Sequence, residues 1–87
     1  MNSDLNEKGC GIEVEAKRIS DDIVDKLLIY RKRMQMTQQD VADATGIKRA
    51  NIARIESKKH AASFESLLKY AECLNLDISI EVKERQA

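Results

Sequence analysis

The sequence predicts an all-α fold, a compact bundle of four to five short helices, with one β-strand added at the C-terminal end. Three observations carry that expectation. Proline is absent and glycine occurs only at positions 9, 11 and 46, too few turn residues for a many-stranded sheet. The aromatic residues are Tyr30, Phe64 and Tyr70, so the core has to be assembled from Leu, Ile, Val, Ala and Met, side chains that favour packed helices. Apolar residues also recur at spacings of three and four from Ser20 to Leu74. With 87 residues the chain is one domain with a thin margin of stability, which self-association would widen.

Residues 1–18 are polar and acidic and contain two of the glycines, so they are expected to be a flexible N-terminal segment. The first helix is expected to start at Ser20 as N-cap, with Asp21 and Asp22 complementing its positive end. Its apolar stripe is Ile23, Val24, Leu27, Leu28, Tyr30 and Met34. The second helix opens at Thr37, which forms a capping box with Asp40, while Met36 staples onto Val41. Gly46 ends it, supplying a positive φ that other residues adopt reluctantly.

In the third helix, KRANIARIES, Ile52 and Ile55 join Ile47 in facing the core, and Lys48, Arg49, Asn51 and Arg54 face outward. Ser63 caps a fourth helix with apolar positions Phe64, Leu67, Leu68, Ala71 and Leu74, ended by Asn75. Residues 19–76 are thus expected to be the folded unit. In the tail, residues 77–87, Ile78, Ile80 and Val82 alternate with Ser79, Glu81 and Lys83, the period of a half-buried strand. A strand needs a neighbour. The candidates are the same strand of a second copy, preferred here, and the short run from Ile12 to Val14.

Formal net charge is zero, but its distribution is not uniform. Residues 1–25 hold seven acids and three bases, whereas residues 26–59 hold nine bases and three acids, a net of +6. A basic module therefore sits between acidic flanks, the pattern of a chain that meets a polyanion through its middle. No nucleophile with its base and orienter, phosphate loop or metal cluster can be assembled, so no catalytic residue, cofactor or metal is expected and the protein is not an enzyme. Cys10 and Cys73 are expected as free thiols and His60 as a loop histidine. The polar N-terminus and the lack of a long apolar run predict a cytoplasmic protein without membrane contact. Single-strand and RNA binding are disfavoured because the third helix carries no aromatic platform.

The informative unit is TQQDVADATGIKRANIARIE: two short helices joined by a tight glycine turn, with small residues Ala42 and Ala44 where the helices approach. That is the geometry of a helix-turn-helix, whose second helix enters the DNA major groove. Arg pairs bidentately with guanine and Asn with adenine, so Arg49, Asn51 and Arg54 suit base edges. Lys48, Lys58 and Lys59, near the ends of that helix, suit phosphates.

From Leu27 to Leu76 the chain resembles the helix-turn-helix domain of phage repressors, Cro and the XRE-like bacterial regulators related to them. The resemblance is carried by Thr37-Gln38, Val41-Ala42, Gly46-Ile47, Ile52, Ile55, Glu56 and SFESLLKYAECLNL. It implies a lambda-repressor-like fold, a phosphate contact by Gln38, which also braces the third helix, and base contacts by Arg49, Ala50, Asn51 and Arg54. It further implies an ion pair between Arg31 and Glu56. Two departures stand out: Lys58 where the family usually has Gly, and Ala62 where Pro is common. The function expected from this resemblance is a sequence-specific repressor of double-stranded DNA, acting as a homodimer on a palindromic operator. A tail strand after the fourth helix also occurs in some antitoxins, so the alternative is an antitoxin that binds a toxin protein and autoregulates its operon.

Overall fold

The computed structural model describes residues 2–85, with side chains from residue 11 onward. Four helices follow in order: α1 (Asn2–Arg33), α2 (Gln38–Thr45), α3 (Arg49–Ser57) and α4 (Phe64–Cys73). The thiol of Cys10 and residues 86–87 of the tail lie outside the described part.

The first helix does not begin at Ser20. One helix runs from Asn2 to Arg33, so the backbone of residues 2–18 is helical rather than irregular. Charged side chains support its continuation through residues 15–22. Glu15 and Arg18 pair across one turn, Lys17 reaches Asp21 at 2.8 Å, and Arg18 reaches Asp22 at 3.4 Å, the i,i+3 and i,i+4 spacings that support a helix surface. Ser20 has other work: its Oγ, buried inside the helix, accepts the N–H of Ala62 at 3.0 Å. At about 1.5 Å per residue a helix of 32 residues is roughly 48 Å long. That matches the 49 Å long axis and explains a radius of gyration of 15.4 Å, above the roughly 12 Å of a compact chain this size.

Helix ends are set by local chemistry. Thr37 and Asp40 form the expected capping box, with Asp40 N–H to Thr37 Oγ1 at 3.0 Å and Thr37 N–H to Asp40 Oδ2 at 2.8 Å. Ser63 accepts the Ser66 N–H at the start of α4. Helices α1 and α4 close alike: Gln35 and Asn75 take positive φ, and the next N–H, of Met36 and Leu76, returns to the carbonyl five residues back.

The core draws on every helix: Val24 and Leu27, Val41 and Ala42, Ile52 and Ile55, and Leu67, Tyr70, Ala71 and Leu74. Three details depart from expectation. Ala42 alone makes the close approach, since Ala44 is exposed. Tyr30 of α1 and Met34 just past its end leave the stripe, Tyr30 lying instead under the Arg33 guanidinium at 5.3 Å. On α4, Phe64 and Leu68 are exposed while Tyr70 is buried, because the inward stripe follows Leu67, Ala71 and Leu74 and the Tyr70 hydroxyl finds a partner inside. The C-terminal strand expected from the alternation is not formed: residues 76–85 carry no strand among the described residues, and a lone strand has no neighbour to take up its backbone groups.

Candidate nucleic-acid interface

The path from α2 to α3 is fixed residue by residue. Gly46 adopts φ 77° and returns its N–H to Ala42 at 2.9 Å. Thr45 Oγ1 then donates to the Val41 carbonyl at 2.7 Å and accepts the Ile47 N–H at 3.1 Å, so the turn has a side-chain rivet on each side. Ile47 packs against the core, and Lys48 enters α3 with extended dihedrals and no side-chain cap, leaving its amine unengaged by the helix start.

Ile52 and Ile55, 0% and 8% exposed, fix the rotation of α3. At 100° per residue, Ala50 and Arg54 then stand opposite the core, flanked by Arg49 and Asn51. All four are exposed, as are Lys48 and Lys59. Among the described residues no carboxylate lies within ion-pairing distance of Lys48, Arg49, Arg54 or Lys59. The face is thus a set of hydrogen-bond donors and cations on a rigid rod. Small Ala50 leaves room for close approach.

Two of the expected contact residues are placed differently. Lys58 occupies the position where the left-handed region ends α3, at φ 58°, which accounts for the glycine otherwise common there. Its Nζ donates to Asp25 Oδ1 of α1 at 2.5 Å, and that bond pushes its pKa above the usual lysine value. Gln38 is half-buried, and its Nε2 donates to Glu56 Oε1 at 3.0 Å.

Glu56 is the hub of this arrangement. Arg31 binds it with Nη2 3.1 Å from Oε1 and Nε 3.0 Å from Oε2, and Arg31 Nη1 also donates to the Met36 carbonyl at 2.7 Å. The Tyr70 hydroxyl donates to Oε2 at 2.6 Å. One side chain from each helix therefore meets at a single carboxylate. The side chains of Arg31 and Glu56 are 13% and 8% exposed, so this is an interior ion pair with its remaining lone pairs taken by Gln38 and Tyr70.

Sequence reasoning missed Tyr70, which stands one position off the expected apolar stripe. It also gave His60 and Ser63, in the loop before α4, no part in the interface. A groove of about 500 Å³ runs beside α3, lined by Lys48, Asn51, Arg54, His60, Ser63 and Ser66. The polar run KKHAAS, directly after a basic helix end, was the signal for that wall.

None of the described helices is long and apolar enough to cross a membrane. A search of curated proteins returns no match. A family model described as Helix-turn-helix matches residues 27–80, more than half of the chain and the whole of the bundle after the first part of α1. The chain therefore belongs to the helix-turn-helix family of the Cro and phage-repressor type, DNA-binding regulators of transcription.

Proposed function

We propose that this protein is a sequence-specific repressor that binds a palindromic operator as a homodimer. The observation that carries the reading is the outward face of α3, where Arg49, Asn51 and Arg54 stand exposed around Ala50. Arg49 and Arg54 read guanine and Asn51 reads adenine in the major groove, while Lys48 and Lys59 hold phosphates. Lys58 joins them once released from Asp25. Gln38 keeps a second amide hydrogen beyond its bond to Glu56, so a phosphate held there is tied to the register of α3. His60 and Ser63, across the groove, flank the same strand of the duplex.

Selection of bound duplexes from a random pool tests this directly. The expected result is a palindromic consensus with half-sites about 34 Å apart, and binding that falls steeply with salt. Enrichment of no consensus, or of a single unrepeated half-site, overturns it.

An antitoxin remains the second reading, favoured by one observation. An apolar groove of about 360 Å³ between α1 and the start of α4, with Ile19, Ile23 and Phe64 in its walls, is open in the single chain. A toxin protein seated there would make the chain a two-function module. Purification from the native host distinguishes the two, since an antitoxin brings down a stoichiometric protein partner and a simple repressor does not.

A further inference from the structure

After α4 the apolar residues Leu76, Ile78, Ile80 and Val82 alternate with polar ones. Leu76 and Ile78 pack against the core, but Ile80 is 62% and Val82 95% exposed. Lys83 Nζ lies 3.9 Å from Glu81 Oε2, and side chains two residues apart share a face in extended backbone but not in a helix. The segment therefore has the face pattern of a strand without forming one, and its outer apolar side chains are uncovered. The intrachain neighbour that the sequence allowed, Ile12 to Val14, lies inside α1, where its backbone groups bond within the helix. That leaves a neighbour from another molecule.

We infer that two copies of this chain pair through residues 77–83 as antiparallel strands centred on Ile80. This rests on the homodimer reading above and specifies its interface. A two-fold axis perpendicular to such a ribbon keeps odd and even residues on separate faces, so the register is set by which residue lies opposite itself. Centring on Ser79 sets Asp77 opposite Glu81 of the partner subunit. Centring on Glu81 sets that carboxylate against its own copy, and centring on Val82 sets Ile80 against the partner's Glu84. Centring on Ile78 sets Val82 against the partner's Leu74, which is buried in its own core. Centring on Ile80 avoids all four.

In that register Ile80 meets the partner's Ile80, Ile78 meets the partner's Val82 in both directions, and every apolar residue of the seven is matched with another. On the opposite face Asp77 meets the partner's Lys83, again twice. Opposite charges and apolar side chains directly across a strand pair stabilise it, and like charges there destabilise it. The exposed Ile80 and Val82 are then covered by the same contact that satisfies the strand edge.

Sedimentation equilibrium on the full chain tests the register. Asp77→Lys and Lys83→Asp each turn two attractive pairs into two repulsive ones and weaken the dimer by about tenfold, and the double variant restores it. Ser79→Lys, which faces the partner's Glu81 in this register but itself or a cation in those centred on Ser79, Glu81 and Val82, tightens the dimer several-fold. These effects shrink at high salt, and the helical circular dichroism of each variant confirms that it folds. A dimer that is indifferent to the single swaps, is not restored by the double, or is loosened by Ser79→Lys overturns the register and leaves the homodimer standing. A wild-type chain that stays monomeric in solution and binds duplex as one copy overturns the homodimer reading itself.

Discussion

The Tyr70 hydroxyl donates to Oε2 of Glu56 at 2.6 Å, joining the last helix to the end of the DNA-facing one. Burial first, and the bond to Glu56 second, push the phenol pKa well above its ordinary value of 10. Because the folded value is the higher one, the associated stability is whole below pH 10 and is lost as pH rises beyond it, where the unfolded chain releases the proton first. Tyr70→Phe is expected to lose about 1–2 kcal/mol at neutral pH by urea unfolding. It is also expected to flatten the decline in stability above pH 10. Parallel pH profiles for the two proteins would show that the phenol is not what titrates.

Removing the hub itself should be worse than removing any spoke. Glu56→Ala leaves the Arg31 guanidinium, 13% exposed, without its counter-charge, and leaves Gln38 and Tyr70 without their acceptor. Stripping one partner from an interior ion pair costs about 3–5 kcal/mol, which approaches the whole stability of a domain this small. Replacing both Arg31 and Glu56 with Met removes charge from both sides and should recover the part of that loss due to the stranded guanidinium, while Gln38 and Tyr70 stay without their acceptor. Thermal unfolding of the two proteins decides the point, and a double variant no more stable than Glu56→Ala would contradict it.

Much of this fold was legible because it is governed by short-range rules. Thr37 with Asp40, Gly46, and the Ile52 and Ile55 pair each obey a local constraint that four to eight residues state fully. What was not legible depends on residues far apart in sequence. Ser20 reads as a helix cap because Asp21 and Asp22 follow it, yet its hydroxyl is committed to Ala62, and ion pairs around Lys17 and Arg18 carry the helix through it. Tyr70 and Leu68 fit an amphipathic spacing about equally well. Only Glu56, fourteen positions earlier, makes the phenol the one to bury. The DNA-facing residues were readable as types, but the engagement of Lys58 by Asp25 was not, because those side chains are 33 positions apart.

The same Ser20 contact explains why alanine stands at position 62. The Ala62 N–H donates to Ser20 Oγ at 3.0 Å, and proline has no N–H to give. Ala62→Pro is therefore expected to destabilise the chain by about 1–2 kcal/mol, leaving a buried hydroxyl without its donor. Ser20→Ala removes that hydroxyl, so Ala62→Pro should cost markedly less in that background. A double-mutant cycle by urea unfolding gives the coupling directly. Additive effects would mean that the hydrogen bond contributes nothing.

Lys58 is the basic residue whose DNA contact should be adjustable from α1. Its Nζ is held by Asp25 at 2.5 Å, on the exposed surface where solvent screens the pair, so breaking it should leave stability nearly unchanged. Asp25→Asn removes a negative charge near the duplex and frees the amine for a phosphate. Affinity should rise several-fold for operator and random duplex alike, and the plot of log affinity against log salt should steepen by about one unit. Lys58→Ala in the Asp25→Asn background should return the slope to its starting value. If the slope instead stays steep without Lys58, the gain came from the lost carboxylate alone and Lys58 does not reach the DNA.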